Sequence, residues 1–127
     1  MIEKAIHTQW ADVSSLTAVI PAASFTTGSR LDDKDSPLPA AVMELQSTNR
    51  DRKNSGATRT HSVRIKAWVR NHSTGVSLRS AMLEAFENTA WTITGFSVIE
   101  CRIENEFALQ EDDGVWQFVF DIELLTT

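Results

Sequence analysis

The sequence predicts an α+β domain in which two helices pack on a mainly antiparallel sheet of about four to five strands. Apolar residues recur at helical spacing in two stretches and alternate with polar residues in several others. Runs of polar, turn-forming residues separate these stretches. The expected order is helix, hairpin, helix, hairpin, and at 127 residues the chain is expected to form one domain, 1–127.

The first helix is expected near the start of the chain. Its apolar residues step by four, four, three and three positions, close to the helical period, and are Ile2, Ile6, Trp10, Val13 and Leu16. Pro21 cannot continue a helix. The segment 26–39 gathers Gly, Ser, Asp and two prolines, which predicts a loop, with a possible short strand at 22–25.

The first hairpin is expected from two strands, 40–48 and 59–70, joined by the polar, glycine-ended connection 49–56. The second of these strands alternates cleanly. One face carries the apolar side chains, and these are Val63, Ile65, Ala67 and Val69. The polar connection between the strands predicts a protruding tip.

The second helix is expected after the turn and cap residues 71–75, with Leu78, Met82 and Phe86 at helical spacing. Residues 91–103 then alternate, with a change of phase between Val98 and Ile99 that is typical of a β-bulge. A last strand over 116–124 completes a second hairpin. Its connection, 104–114, is predicted to be an acidic tip.

Charge and composition exclude several classes of protein. The net charge is −5 and the pI is about 5.1, so nucleic acid wrapped around the whole surface is disfavoured. No apolar run reaches the roughly 18 to 20 residues that span a bilayer, and the first residues, charged early, do not predict a signal peptide. We expect synthesis in the cytoplasm and no membrane association.

No pattern of residues predicts an enzyme, a cofactor or a metal site. The serine at position 77 lacks the paired glycines of a nucleophile elbow, and the three histidines, each expected at the surface, lack acidic partners at suitable spacing. Cys101 is adjacent to Arg102 but shares a strand face with apolar residues, which predicts a buried thiol. The acidic segments 32–35 and 104–113 predict solvated loops, with a weak divalent-cation site at 104–113 as the alternative.

Several residues are candidates for an interface. An outward tryptophan among cations is costly unless another surface covers it, so Trp68 predicts either an interface or a site beneath a helix. The basic run near residue 50 is either a solvated hairpin tip or a contact with DNA or an acidic neighbour. The predicted interface residues are Trp68, Arg50, Arg52, Lys53, Arg64, Lys66, Arg70, Glu106, Asp112 and Asp113.

Four segments of the sequence, in this order of elements, resemble the tail terminator or tail completion proteins of long-tailed bacteriophages. They are the opening helix Met-Ile-Glu-Lys-Ala-Ile (1–6), Pro-Leu-Pro-Ala-Ala-Val (37–42), the strand Ser-Val-Arg-Ile-Lys-Ala-Trp (62–68) and the closing Gly-Val-Trp-Gln-Phe-Val-Phe-Asp-Ile (114–122). The second helix after the 62–68 strand extends the resemblance over nearly the whole chain. It includes no catalytic motif, and the acidic segment 104–113 matches no family feature.

This resemblance implies a structural virion protein, not an enzyme. The implied assembly is a hexameric ring at the head-proximal end of the tail, which stops polymerisation of the tail tube and presents a surface to the head connector. The implied partners are other copies, the tail tube protein and the head connector protein, with DNA passing through the bore without specific binding. Alternatives are another head-to-tail connector of the stopper or adaptor kind, and a small nucleic-acid-binding module that uses the basic hairpin 50–53.

Overall fold

The computed structural model describes residues 2–28, 38–50, 58–93, 95–111 and 113–127. Within them lie three α-helices, α1 (Ile2–Asp12), α2 (Ser14–Val19) and α3 (His72–Phe86), and a short 3-10 turn at Ala22–Ser24. The strands are β1 (Phe25–Thr27), β2 (Ala40–Arg50), β3 (Arg59–Val69), β4 (Thr89–Ile93), β5 (Phe96–Gln110) and β6 (Trp116–Thr126). None of the helices in these ranges is both long and apolar enough to cross a membrane.

The strands form one six-stranded sheet in the order β1-β2-β3-β6-β5-β4. The pair β1 and β2 is parallel, and the other neighbours are antiparallel. The prediction of an antiparallel sheet of four to five strands with two helices was therefore wrong in the number of elements and in the parallel pair, although the fold remains α+β. Two of the extra elements arose where a single residue interrupts a periodic stretch.

The first interruption divides the predicted first helix into α1 and α2. Val13 between them has an extended backbone, with φ −98° and ψ 105°. The apolar stripe nevertheless continues through Trp10, Val13 and Leu16, because all three are spaced three residues apart. Periodicity therefore does not reveal the break.

The second interruption divides the predicted strand 91–103. Gly95 adopts a φ of 74°, the left-handed region that glycine enters at little cost, and the chain turns there from β4 into β5. The predicted bulge is confirmed, because the register between β5 and β6 shifts between Val98 and Glu100. β5 and β6 form the predicted second hairpin.

The helices pack on one face of the sheet and enclose the core. The predicted apolar face of β3 is confirmed as buried. Trp10 is fully buried, its ring stacks on Phe25 with centroids 4.1 Å apart, and its indole N–H donates to the carbonyl of Ile20 at 3.0 Å. This one side chain thus joins α1 to the segment after α2 and to the edge strand β1. At α3, the side chain of Asn71 caps the helix by accepting from the backbone N–H of Thr74 at 2.9 Å.

His61 is buried on β3, so the prediction that every histidine lies at the surface was wrong at this position. Its Nδ1 is 3.0 Å from the hydroxyl of Thr48 and its Nε2 is 2.9 Å from the hydroxyl of Thr126. Both ring nitrogens thus have hydroxyl partners, which can accept or donate. Burial, followed by the nearby charge of Arg59, lowers the pKa of His61 below 6.5.

Because the folded protein resists protonation of His61, stability should fall as the pH falls below about 6.5. Above that pH the imidazole is neutral in both states, and below it the unfolded chain binds the proton more readily. Burial also lowers the pKa of His7, which adds to the effect. Urea unfolding at pH 7.5 and 5.5 should show a lower free energy of unfolding at pH 5.5, and His61→Gln should reduce that difference. An unchanged difference in the variant would contradict the assignment.

Candidate functional site

Three of the six predicted interface residues whose side chains the structure describes, Arg64, Lys66 and Trp68, lie on the face of the sheet away from the helices. We call it the outer face. Val42 and Val119 are buried at its centre, one on each side of Lys66 in the same row, and Trp68 lies two residues further along β3. Successive side chains of a strand point to opposite faces of the sheet. The alternation that places every second residue in the core therefore places the residues between them on the outer face.

Carboxylates on neighbouring strands pair with the cations of the outer face. The guanidinium of Arg64 makes two hydrogen bonds to Asp121, at 2.7 and 3.1 Å. The Nζ of Lys66 lies 3.3 Å from Glu44. Hydrogen bonding to Asp121 is the main reason that the pKa of Arg64 is raised. Nucleic acid would have to compete with these carboxylates for both cations.

Trp68 lies on the outer face rather than beneath a helix, and only 9% of it is exposed. Its indole N–H donates to Oε1 of Glu111 at 2.8 Å. The acidic turn between β5 and β6 is therefore tied to the outer face near the end of β3. Participation of Trp68 in an interface stays a prediction.

The remaining predicted residues are scattered. Arg70 is exposed just beyond β3, and Oδ1 of Asp113 accepts from the backbone N–H of Val115 at 3.0 Å, which shapes the β5–β6 turn. Glu106 pairs with Arg79 of α3 at 2.6 Å. Outside the described part of the chain lie the side chain of Arg50 and all of Arg52, Lys53 and Asp112.

The second hairpin is longer than predicted. β5 runs to Gln110, so residues 104–110 belong to a strand and not to an acidic tip. Phe107 and Leu109 on this strand are each 42% exposed. Sequence reasoning missed both, although their spacing of two was visible, because five nearby acidic residues favoured a loop.

The described residues do not form a group of three or more His, Cys, Asp or Glu side chains that could hold a metal ion. His7 is hydrogen-bonded to Thr27, and the ring of His72 packs edge-on against Trp116. Cys101 is fully buried, as the sequence predicted.

The thiol of Cys101 should be almost inert in the folded protein. Burial, followed by the charge of Glu87, raises the pKa of Cys101 to about 12 from 9.0. This lowers the reactive thiolate fraction by about a thousandfold, and burial blocks access as well. Ellman's reagent at pH 8 should therefore report no thiol in native protein and one thiol in urea. Rapid labelling of the native protein would contradict this environment.

Comparison with known proteins gives the family. The family model described as "Tail completion protein gp17" matches residues 4–127, from α1 through β6. The chain belongs to this family. The resemblance drawn from the sequence is thereby confirmed, and this tail completion protein is a structural component of the phage tail.

A solved structure has the same fold. One chain of the "Virion of native gene transfer agent (GTA) particle" superposes on the tail completion protein with a TM-score of 0.69. The match covers 95% of this chain and 90% of that chain, at 12% sequence identity. No curated protein matches the sequence.

Proposed function

We propose that this protein caps the head-proximal end of the tail tube, ends polymerisation of the tube and joins the tail to the head connector. The observation that supports this most strongly is the match to the tail completion family over residues 4–127. That range contains nearly all of every helix and strand, so the domain as a whole is the tail component. Its place in the virion would be the head-proximal end of the tail.

The connections at the two ends of the sheet differ in the charge of their sequences, which suits a component between two different neighbours. At one end Arg59 pairs with Thr126, and at the other Val69 pairs with Trp116. The β2–β3 connection leaves from the first end, and the β5–β6 turn lies at the second. The sequence around the first connection is rich in arginine and lysine, whereas the second is rich in aspartate and glutamate.

A hexameric ring of these copies would suit passage of DNA. Each copy carries a net charge of −5, and a negative bore repels phosphate, so DNA could slide through without specific binding. The partners in this proposal are the other copies, the tail tube protein and the head connector protein.

Deletion of the gene from the phage tests the proposal. Without the protein we expect tails of uncontrolled length that are not joined to heads, and expression of the protein from a plasmid should restore joined particles. An empty plasmid is the control. Tails of normal length that fail to join heads would instead favour a stopper or adaptor role. Normal joined particles without the protein would contradict the proposal.

The nucleic-acid-binding alternative predicts that the protein binds duplex DNA. A binder that contacts several phosphates still retains affinity at about 150 mM salt. We expect no binding of short duplex DNA at that salt concentration, because Arg64 and Lys66 are each paired with a carboxylate. Fluorescence anisotropy over a series of salt concentrations checks this. Tight binding that weakens steeply as salt rises would favour the alternative.

A further inference from the structure

β5 has a long edge that no described strand covers. β4 pairs with β5 only as far as Cys101. The next backbone N–H on that side of β5, that of Ile103, donates to the carboxylate of Glu87 at 3.1 Å. From 104 to 110 alternate backbone groups therefore face away from β6. Natural proteins blunt such edges with bulges, charged side chains, lysine, proline or short strands. The register of β5 shifts between Ile103 and Asn105, and beyond that shift the edge carries a single charged residue, Glu106, has no lysine or proline, and exposes Phe107 and Leu109.

β1 is an edge strand on the opposite side of the sheet. It is only three residues long, and Thr26 and Thr27 are exposed. Pairing across the sheet places Thr26 in one row with Phe107, and Thr27 in the next row with Glu106. The two open edges therefore lie at the same level on opposite sides of the sheet.

The strand directions also match. β1 is parallel to β2, and the chain reverses at each step from β2 through β3 and β6 to β5. β1 and β5 thus run in opposite directions. If a second copy is placed beside β5 by rotation about an axis along the strands, its β1 becomes antiparallel to β5.

The side chains at the two edges complement each other. One oxygen of Glu106 pairs with Arg79, whereas Oε2 is buried without a hydrogen-bond partner among the described atoms. Thr27, in the same row and on the same face, lies 3.0 Å from Nε2 of His7. When His7 donates to Thr27, the threonine hydroxyl can donate onward to a carboxylate. A neighbour's Thr27 would lie opposite Glu106 in this row.

We propose that the open edge of β5 at 106–108 pairs antiparallel with β1, Phe25–Thr27, of a second copy. The contact uses a different surface on each copy, so its repetition closes a ring when the rotation between copies divides a full turn, and otherwise gives an open filament. Phe107 would be covered by the neighbour. This inference rests on the proposed function only in placing such a ring at the head-proximal end of the tail. The contact itself does not depend on that function.

Paired cysteines test the contact. Opposed residues on antiparallel strands have Cβ atoms about 4.5–5.5 Å apart, close to the separation that a disulfide spans. Mild oxidation of the double variant Thr26→Cys, Phe107→Cys should give a ladder of covalent oligomers on a non-reducing gel, at least about tenfold stronger than a control pair gives. The control is Thr26→Cys with Ile99→Cys, because Ile99 is 44% exposed on a part of β5 close to β4.

Native mass spectrometry of the same samples separates the two proposals. Rings with the ladder support the contact. Rings without the ladder overturn it and leave the proposed function standing. A strict monomer at every concentration, with no ladder, also overturns it, whereas the deletion phenotype still decides the proposed function independently.

Discussion

Replacing Trp10 by alanine is expected to lower the free energy of unfolding by about 3–5 kcal/mol. The side chain is fully buried, stacks on Phe25 and lies 6.5 Å, between ring centroids, from Phe86. The change removes this packing and leaves the carbonyl of Ile20 without its indole donor. A loss of this size is a large share of the stability of a small domain. Urea unfolding followed by circular dichroism measures it.

Two matched variants separate the causes. Trp10→Phe keeps an aromatic ring but removes the N–H, so it should cost about 1–3 kcal/mol because one buried acceptor is left unpaired. Leu45→Ala truncates a residue that is 43% exposed and should change stability by at most about 0.5 kcal/mol. If Trp10→Ala proved as mild as Leu45→Ala, the described core would be wrong.

Replacing Gly75 by alanine is expected to destabilise the protein by about 2 kcal/mol, although alanine favours helices by about 1 kcal/mol over glycine. Gly75 lies in α3 directly against Phe118, and a methyl group there would overlap the aromatic ring. Phe118 is itself packed against His72 and Trp116, so it has little room to move. Thermal unfolding measures the change.

Ser77→Ala is the control for Gly75, since Ser77 is an exposed residue of the same helix. That change should leave stability unchanged or slightly raised. Combining Gly75→Ala with Phe118→Leu should recover part of the loss by shrinking the opposing side chain. A Gly75→Ala protein that is more stable than the wild type would show that helix propensity dominates and that the close contact is absent.

The local elements of the fold could be predicted because their signals are local. β2, β3, α3 and β6 begin and end close to the predicted residues, since each has a clean period and polar residues at its ends. β1 could not be predicted with its parallel partner, because its three residues carry almost no pattern and its pairing depends on a distant strand. Periodicity does not reveal the break at Val13, because the apolar residues keep a spacing of three across it.

The candidate surface was predictable only in part. Alternation in β3 predicts that Trp68 lies on the face opposite the apolar side chains, but it leaves open whether a helix covers that face, and only the structure places Trp68 on the outer face. Its bond to Glu111 joins residues far apart in sequence, so no local pattern indicates it. Burial of His61 likewise depends on Thr126, at the far end of the chain. The open edge of β5 follows from the strand order, since no strand of the described residues pairs with β5 beyond β4, and only the topology reveals this.

The position of this protein in the virion tests the central claim most directly. A peptide tag fused after Thr127, an exposed residue, can be labelled with gold in purified phage particles and imaged by negative-stain electron microscopy. We predict label at the junction of head and tail in joined particles, and at a single end of tails that lack heads. Label along the tail shaft, or at the end of the tail farthest from the head, would contradict the proposed role.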